Sequence, residues 1–198
     1  MSAEWLELHP VDPQRRWLQR AADRMRAGAV IAYPTDSCYA LGAQLDDKDA
    51  VERIRSIRGF DKHHLFTLVC RDLAEIATFA RVDNWQYRLL KQLTPGPYTF
   101  VLEATKELPR RVLHEKRKTI GIRVPEHKVA QALLELVGGP LISCTLQFPD
   151  GDGPVADPQD VYDELDRSVD LVLYGGPCGT LPTTVLDLTG SAAVVVRQ

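Results

Sequence analysis

Ala29-Val30-Ile31-Ala32-Tyr33-Pro34-Thr35-Asp36-Ser37-Cys38-Tyr39-Ala40-Leu41-Gly42 is the stretch on which the reading of the fold turns. An apolar run of strand length, 29–33, breaks at Pro34, which has no amide proton and ends a hydrogen-bonded ladder. Hydroxyls on Tyr33, Thr35, Ser37 and Tyr39, with the Asp36 carboxylate, then collect where a buried strand meets a loop. Two readings fit that junction: a polar cluster facing a ligand, or a turn made of ordinary turn residues.

The pattern on either side alternates helix and strand. Asp12-Pro13 reads as N-cap and first helical position, with Trp17, Leu18, Ala21, Ala22 and Met25 as a buried stripe and Gly28 as the stop. After the 29–33 strand, a helix of about 47–58 turns Val51, Ile54 and Ile57 inward. Phe66 to Cys70 reads as a strand, Asp72 caps a short helix, and a helix over 84–93 ends at Thr94-Pro95-Gly96-Pro97. Strands follow at 98–102 and 119–124. The helix 128–137 stops at Gly138-Gly139 before the strand Leu141-Ile142-Ser143, and 169–173, 184–188 and 193–196 supply further strand. Residues 147–159, rich in proline, glycine and aspartate, read as a mobile loop. The expectation is an α/β domain with no repeat, occupying 13–197 behind an N-terminal extension of residues 1–12.

Composition sets the outer bounds. The 198 residues suit one domain; 44% are apolar and 26% charged, which is ordinary for a globular chain. A net charge of −3 means that any contact with nucleic acid needs a local basic patch. Cys38, Cys70, Cys144 and Cys178 are widely spaced and form no Cys-x-x-Cys pair, so neither a zinc site nor a disulfide scaffold is expected. Free thiols and the lack of a signal peptide point to the cytosol. No apolar run reaches the roughly 18 residues that a membrane helix requires.

Five segments in order resemble the YrdC/YciO family, whose characterised members are threonylcarbamoyl-adenylate synthases. They are Pro34 to Gly42, Thr94-Pro95-Gly96-Pro97-Tyr98-Thr99-Phe100, Thr119-Ile120-Gly121-Ile122-Arg123-Val124-Pro125, Leu141-Ile142-Ser143, and Pro182-Thr183-Thr184-Val185-Leu186-Asp187. The run Glu107 to Gly121 and Phe66-Thr67-Leu68 look most like the YciO branch. The resemblance implies a twisted open mixed sheet with helices on both faces and a deep basic cleft. It implies a reaction of threonine, bicarbonate and ATP that yields threonylcarbamoyl-AMP and pyrophosphate. That product feeds the threonylcarbamoyl modification of an adenosine in tRNA.

Such a transfer to the α-phosphorus relies on positioning and charge neutralisation, because the protein does little covalent chemistry itself. Arg123, at a strand end, suits a bidentate phosphate contact or else a structural ion pair. Ser143, Thr145 and Thr183 are phosphate candidates whose alternative is turn capping. Arg197 matches a basic position of relatives, or is a solvated terminal charge. Thr35, Ser37 and Tyr39 are expected to line the threonine slot, with magnesium carried in on the nucleotide.

The chain departs from the family pattern at its catalytic pairs. A family Lys-x-Arg pair falls on Arg58-Gly59-Phe60, and a Ser-x-Asn pair falls on Thr145-Leu146-Gln147. Arg58, Thr145 and Gln147 are therefore the catalytic candidates. Arg58 keeps the charge as a broad fork, but Phe60 does not. Lys62, His63 and His64 follow and offer replacement charge, or form an exposed polar loop.

A second reading rests on Arg110, Arg111, His114, Lys116, Arg117 and Lys118, a basic run offset only by Glu115. It suits the phosphate backbone of tRNA or double-stranded RNA, in a paralogue without synthase activity, or it is a solvated face. No aromatic residue interleaves the run, which disfavours stacking on single-stranded bases. A third reading is a different small-molecule reaction in the same cleft, since fold alone does not set chemistry.

Overall fold

The structure, a computed structural model, describes residues 2–61 and 64–198. In chain order the elements are β1 (Glu4–Glu7), α1 (Arg15–Arg26), β2 (Ile31–Tyr33), β3 (Ala40–Gln44), α2 (Lys48–Ile57) and β4 (Thr67–Val69). Next come α3 (Leu73–Phe79), α4 (Asn84–Leu93), β5 (Tyr98–Glu103), β6 (Thr119–Arg123), α5 (Lys128–Val137) and β7 (Leu141–Thr145). The chain ends with α6 (Tyr162–Ser168), β8 (Leu171–Tyr174), β9 (Thr184–Asp187) and β10 (Val194–Arg197). All the strands join one mixed sheet in the order β1-β8-β2-β3-β7-β4-β6-β5-β9-β10.

Alternation along each strand sorts the apolar side chains between the two faces of this sheet. Leu41, Leu68, Phe100, Ile122 and Ile142 point to one face, where they pack with Ile54 of α2, Ile76 of α3, Leu90 of α4 and Leu165 of α6. Ile31, Tyr33, Leu141, Leu171 and Leu173 point to the other, under Leu18, Ala21, Ala22 and Met25 of α1 and Leu133 and Leu134 of α5. Each Leu, Ile, Phe or Met among them contributes about 1.5–3 kcal/mol on burial, so both layers hold their helices firmly. Among the described residues α1 and α5 are the helices of this second face; they cover β8, β2 and β3 and reach Leu141 of β7 and Val69 of β4. Beyond those two residues the same face is open, and it presents Thr67, Thr99, Thr119, Gly121, Arg123 and Ser143.

Several local expectations are met closely. Asp72 caps α3 as expected, accepting from Glu75 N, and α4 carries in addition a reciprocal capping box of Asp83 and Gln86 that the sequence reading does not include. Gly138, with φ +77, ends α5 in the left-handed region. The start of α1 is a correction: Gln14 is the N-cap, without a side-chain cap, and the helix opens at Arg15 rather than at Asp12-Pro13. His9 Nδ1 accepts from Val11 N and Asp12 N, and the Gln14 side chain accepts from His9 N, so Asp12 and Pro13 are used in a preceding turn. Residues 1–12, expected as an extension, carry β1, which pairs in parallel with β8 as the edge of the sheet. Residues 147–159, expected to be mobile, are tied at both ends: Val155 N donates to Leu146 O and Cys178 N to Ala156 O.

Candidate functional site

The uncovered half of the second face is the floor of a cleft of about 500 Å³. Register brings its floor residues into a row, Ser143 of β7 beside Thr67 of β4 beside Gly121 of β6 beside Val101 of β5. A second row runs from Val69 to Arg123, and Thr99 of β5 lies beside Val185 of β9. The alternation in Thr119-Ile120-Gly121-Ile122-Arg123 now has a reason: Ile120 and Ile122 fill the core, while Thr119, Gly121 and Arg123 face the cleft. A Cβ on Gly121 would meet Thr99 Cγ2 at 3.3 Å and Thr67 Oγ1 at 3.7 Å, so the missing side chain keeps the floor low.

Hydroxyls on this floor hold one another in place. Tyr33 Oη lies 2.9 Å from Ser143 Oγ, and Ser143 donates to Leu41 O at 2.8 Å. Thr99 Oγ1 and Thr183 Oγ1 are 2.8 Å apart. Thr35 Oγ1 donates to Cys38 O at 2.6 Å and sits 3.1 Å from Ser37 Oγ. Burial raises the Tyr33 phenol to about 12, against the pull of its Ser143 bond and of Arg123, so it stays a neutral donor and acceptor.

Arg123 is the main buried cation. Its Nη1 donates to Ser37 Oγ at 3.1 Å, and its Nη2 is ion-paired with Asp36 Oδ1. Both partners are nearly buried, their side chains 9% and 10% exposed. Asp36 Oδ2 and Arg123 Nε are nevertheless buried without a hydrogen-bond partner, as is Arg58 Nε. Arg58 and Arg123 both line the cleft, so their unpaired Nε atoms mark bonding capacity left unused beside it.

The wall beside the floor is aromatic. The Arg58 guanidinium lies 4.6 Å from the centroid of Phe60, whose ring stacks on His64 at 3.3 Å and 13°. Phe66 meets both rings edge-on at 6.3 Å, and Arg55 lies over Phe66 at 4.9 Å. Arg58 Nη1 also donates to the Gln147 carbonyl, so Arg58 ties this wall to the 147–154 loop. Burial first, then Arg58 and Arg55, lower the pKa of the His64 imidazole. Burial raises the Cys144 thiol to about 12 despite its bond to Arg58.

Of the residues expected from sequence, Arg58, Arg123, Ser143, Thr145 and Gln147 line the cleft, as do Thr35, Ser37, Thr183 and Arg197. Arg197 Nη2 donates to Thr183 O at 3.0 Å. Tyr39 does not belong with them. Its hydroxyl points away, donating to Gly176 O at 2.8 Å and accepting from Gly175 N at 3.1 Å. The reason is strand alternation: β3 begins at Ala40, a cleft residue, and sends its neighbour Tyr39 to the opposite side. Tyr33, part of the polar cluster read at the first strand end, lines the cleft, and so do Thr67, Thr99, Thr119 and Gly121, for which the every-second-residue pattern along their strands is the available sequence signal. Lys62 and His63 lie outside the described residues.

The basic run lies apart from the floor and spends much of its charge internally. Arg111 Nη2 donates to Leu45 O at 2.7 Å, Arg117 pairs with Asp187 at 2.5 Å, and Lys118 Nζ donates to the Glu115 carbonyl. Arg110 and Lys116 are exposed on the same segment. Among the described residues no group of three or more His, Cys, Asp or Glu side chains is placed to hold a metal ion, and none of the cleft-lining residues is acidic. No described helix is long and apolar enough to cross a membrane.

Comparison with known proteins adds to this geometry. A model of the Sua5/YciO/YrdC family, described as "Telomere recombination", matches residues 23–198. The Escherichia coli protein YciO is 50% identical over 196 residues, 99% of this chain and 95% of its own. Its crystal structure gives a TM-score of 0.94, which bears out the expected single α/β domain with a mixed sheet. Threonylcarbamoyl-AMP synthase of Bos taurus is 32% identical over 181 residues, 87% of this chain and 63% of its own. P. abyssi Sua5 complexed with L-threonine gives a TM-score of 0.88 at 25% identity, covering 98% of this chain and 56% of that one. The chain thus spans less than two thirds of these last two relatives.

Proposed function

The chain belongs to the Sua5/YciO/YrdC family, and from that membership we propose that its cleft binds ATP and L-threonine and forms threonylcarbamoyl-AMP. The threonine amine adds to bicarbonate, water leaves, and a carbamate results. A carbamate oxygen then attacks the α-phosphorus, the bond to the β-phosphate breaks, and pyrophosphate departs. The observation that carries this reading is the open half-face of the sheet, where a floor of hydroxyls surrounds Arg123 while Asp36 Oδ2, Arg123 Nε and Arg58 Nε lack partners. Fixed donors such as the Arg123 and Arg58 guanidinium groups and the floor hydroxyls act on phosphate charge without reorganising during the reaction, while the Asp36 carboxylate orients Arg123.

In this proposal Arg123, Ser143, Thr145 and Thr183 bear the phosphates, with Arg197 at the rim, and Thr35 and Ser37 take the threonine. Arg58 and the Gln147 segment bring the loops together over the reacting atoms. Magnesium would arrive on the nucleotide, since the lining side chains offer it no carboxylate. The cleft and the basic run 110–118 compete as ligand sites, and the internal bonds of Arg111, Arg117 and Lys118 favour the cleft.

The test is pyrophosphate release by the purified protein with ATP and bicarbonate, with and without threonine. Threonine-dependent release, with threonylcarbamoyl-AMP identified by mass, is the expected result. ATP binding without any release would sink the synthase reading and leave a nucleotide-binding paralogue.

A further inference from the structure

We propose that the wall made by Phe60, His64 and Phe66 is a stacking surface for the purine ring of the nucleotide. The proposal rests on the reading that the cleft takes ATP, and it says which wall receives the base. Phe60 carries the Arg58 guanidinium at 4.6 Å from its centroid and the His64 ring stacked on it at 3.3 Å. Phe66 props the pair edge-on at 6.3 Å from each centroid. Of the three rings Phe66 is buried and Phe60 half-buried, whereas His64 is exposed and lines the cleft, so His64 is the ring most open to a ligand. A preformed, laterally supported ring at a cleft mouth costs little entropy when a second ring settles on it.

The floor beside this wall decides what the second ring is attached to. It carries threonine and serine hydroxyls and Arg123, and none of the lining residues is acidic. A ligand with a planar ring at one end and an anionic chain running over hydroxyls matches both surfaces, and a purine nucleotide has that form. The lowered imidazole pKa keeps His64 neutral near pH 7, so its face offers π-surface to the base instead of a charge to the phosphates.

The experiment is calorimetric titration of the whole protein with ATP and with inorganic tripolyphosphate, for wild type, His64→Ala and His64→Phe. Loss of a base-stacking aromatic ring costs roughly 5- to 150-fold in affinity. His64→Ala is expected to weaken ATP by that order, with tripolyphosphate unchanged, and His64→Phe to restore ATP. Tripolyphosphate binding as tightly as ATP to the wild type, or His64→Ala binding ATP like the wild type, would overturn the assignment. Threonine-dependent pyrophosphate release, followed in parallel, separates this failure from that of the synthase reading. Turnover with ATP affinity intact in His64→Ala removes the stacking surface alone. ATP affinity that falls in His64→Ala, with no turnover in the wild type, keeps the surface and removes the synthase.

Discussion

Replacing Tyr39 by phenylalanine removes one oxygen that holds two backbone groups of the Gly175–Gly176 turn. The hydroxyl accepts from Gly175 N at 3.1 Å and donates to Gly176 O at 2.8 Å, while the ring stays fully buried. Burial also keeps this phenol un-ionised by raising its pKa well above the ordinary tyrosine value. A net contribution of about 0.5–1.5 kcal/mol per hydrogen bond gives a loss of about 1–3 kcal/mol for the pair. The lower half of that range is expected, because the glycines are only half-buried and water can replace part of what is lost. At roughly 2–4 °C per kcal/mol for a chain of this size, Tm should fall by about 2–8 °C. Hydrogen exchange tests the mechanism separately. Residues 175–183 pack on the 35–39 turn so closely that a Cβ on Gly179 would lie 2.8 Å from Ser37 O. With the tie cut, amides of 175–179 should exchange faster in Tyr39→Phe, and those of β6 should not. An unchanged Tm together with unchanged exchange at 175–179 would show that the hydroxyl is not the clamp argued here.

Two other predictions concern charge. Arg123→Ala leaves Asp36 as a nearly buried carboxylate without its cation, at a cost of about 3–5 kcal/mol, whereas the double variant Arg123→Ala/Asp36→Asn should regain much of that loss in urea denaturation. Single and double variants with the same midpoint would refute the pairing argument. His127 caps α5 through Nδ1, which accepts from Val129 N at 3.3 Å, and burial lowers its pKa. The unfolded chain therefore takes up the proton first, so the stability that His127 contributes is present above about pH 6.5 and is lost as pH falls through the lower folded-state value. His127→Asn, which keeps a capping side chain that does not titrate, should show a smaller drop in urea midpoint between pH 7 and pH 5 than the wild type; an equal drop removes His127 from the pH response.

Much of the fold was legible because its signals are local. The helices at 84–93 and 128–137 follow from apolar patterns ended by Thr94-Pro95-Gly96-Pro97 and by Gly138-Gly139. The strands at 98–103 and 119–123 follow from apolar alternation. Two short strands were harder. β1 at 4–7 draws its stability from pairing with β8, more than 160 residues later, and nothing within four residues announces that. β3 at 40–44 was hidden behind a polar turn, and it forms by pairing with β2 on one side and β7 on the other. The misplaced helix start has the same character, since His9 and Gln14 close a turn over Asp12-Pro13 that outcompetes capping by Asp12.

The site shows the division most clearly. The order of elements, the strand-ending Pro34 with its hydroxyls and the buried-strand position of Arg123 can all be read along the chain. Which side of the sheet those hydroxyls face is decided elsewhere, by α1 and α5 covering one half of a face and leaving the other half open. That choice gives Thr67, Thr99 and Gly121 to the cleft and turns Tyr39 into a clamp. It also sets Asp36 against Arg123 and stacks Phe60 on His64. Residue order determines period, caps and turns because these depend on neighbours within a few positions. Facing, pairing and stacking depend on groups brought together from distant parts of the chain, and only the packed sheet with its helices supplies them.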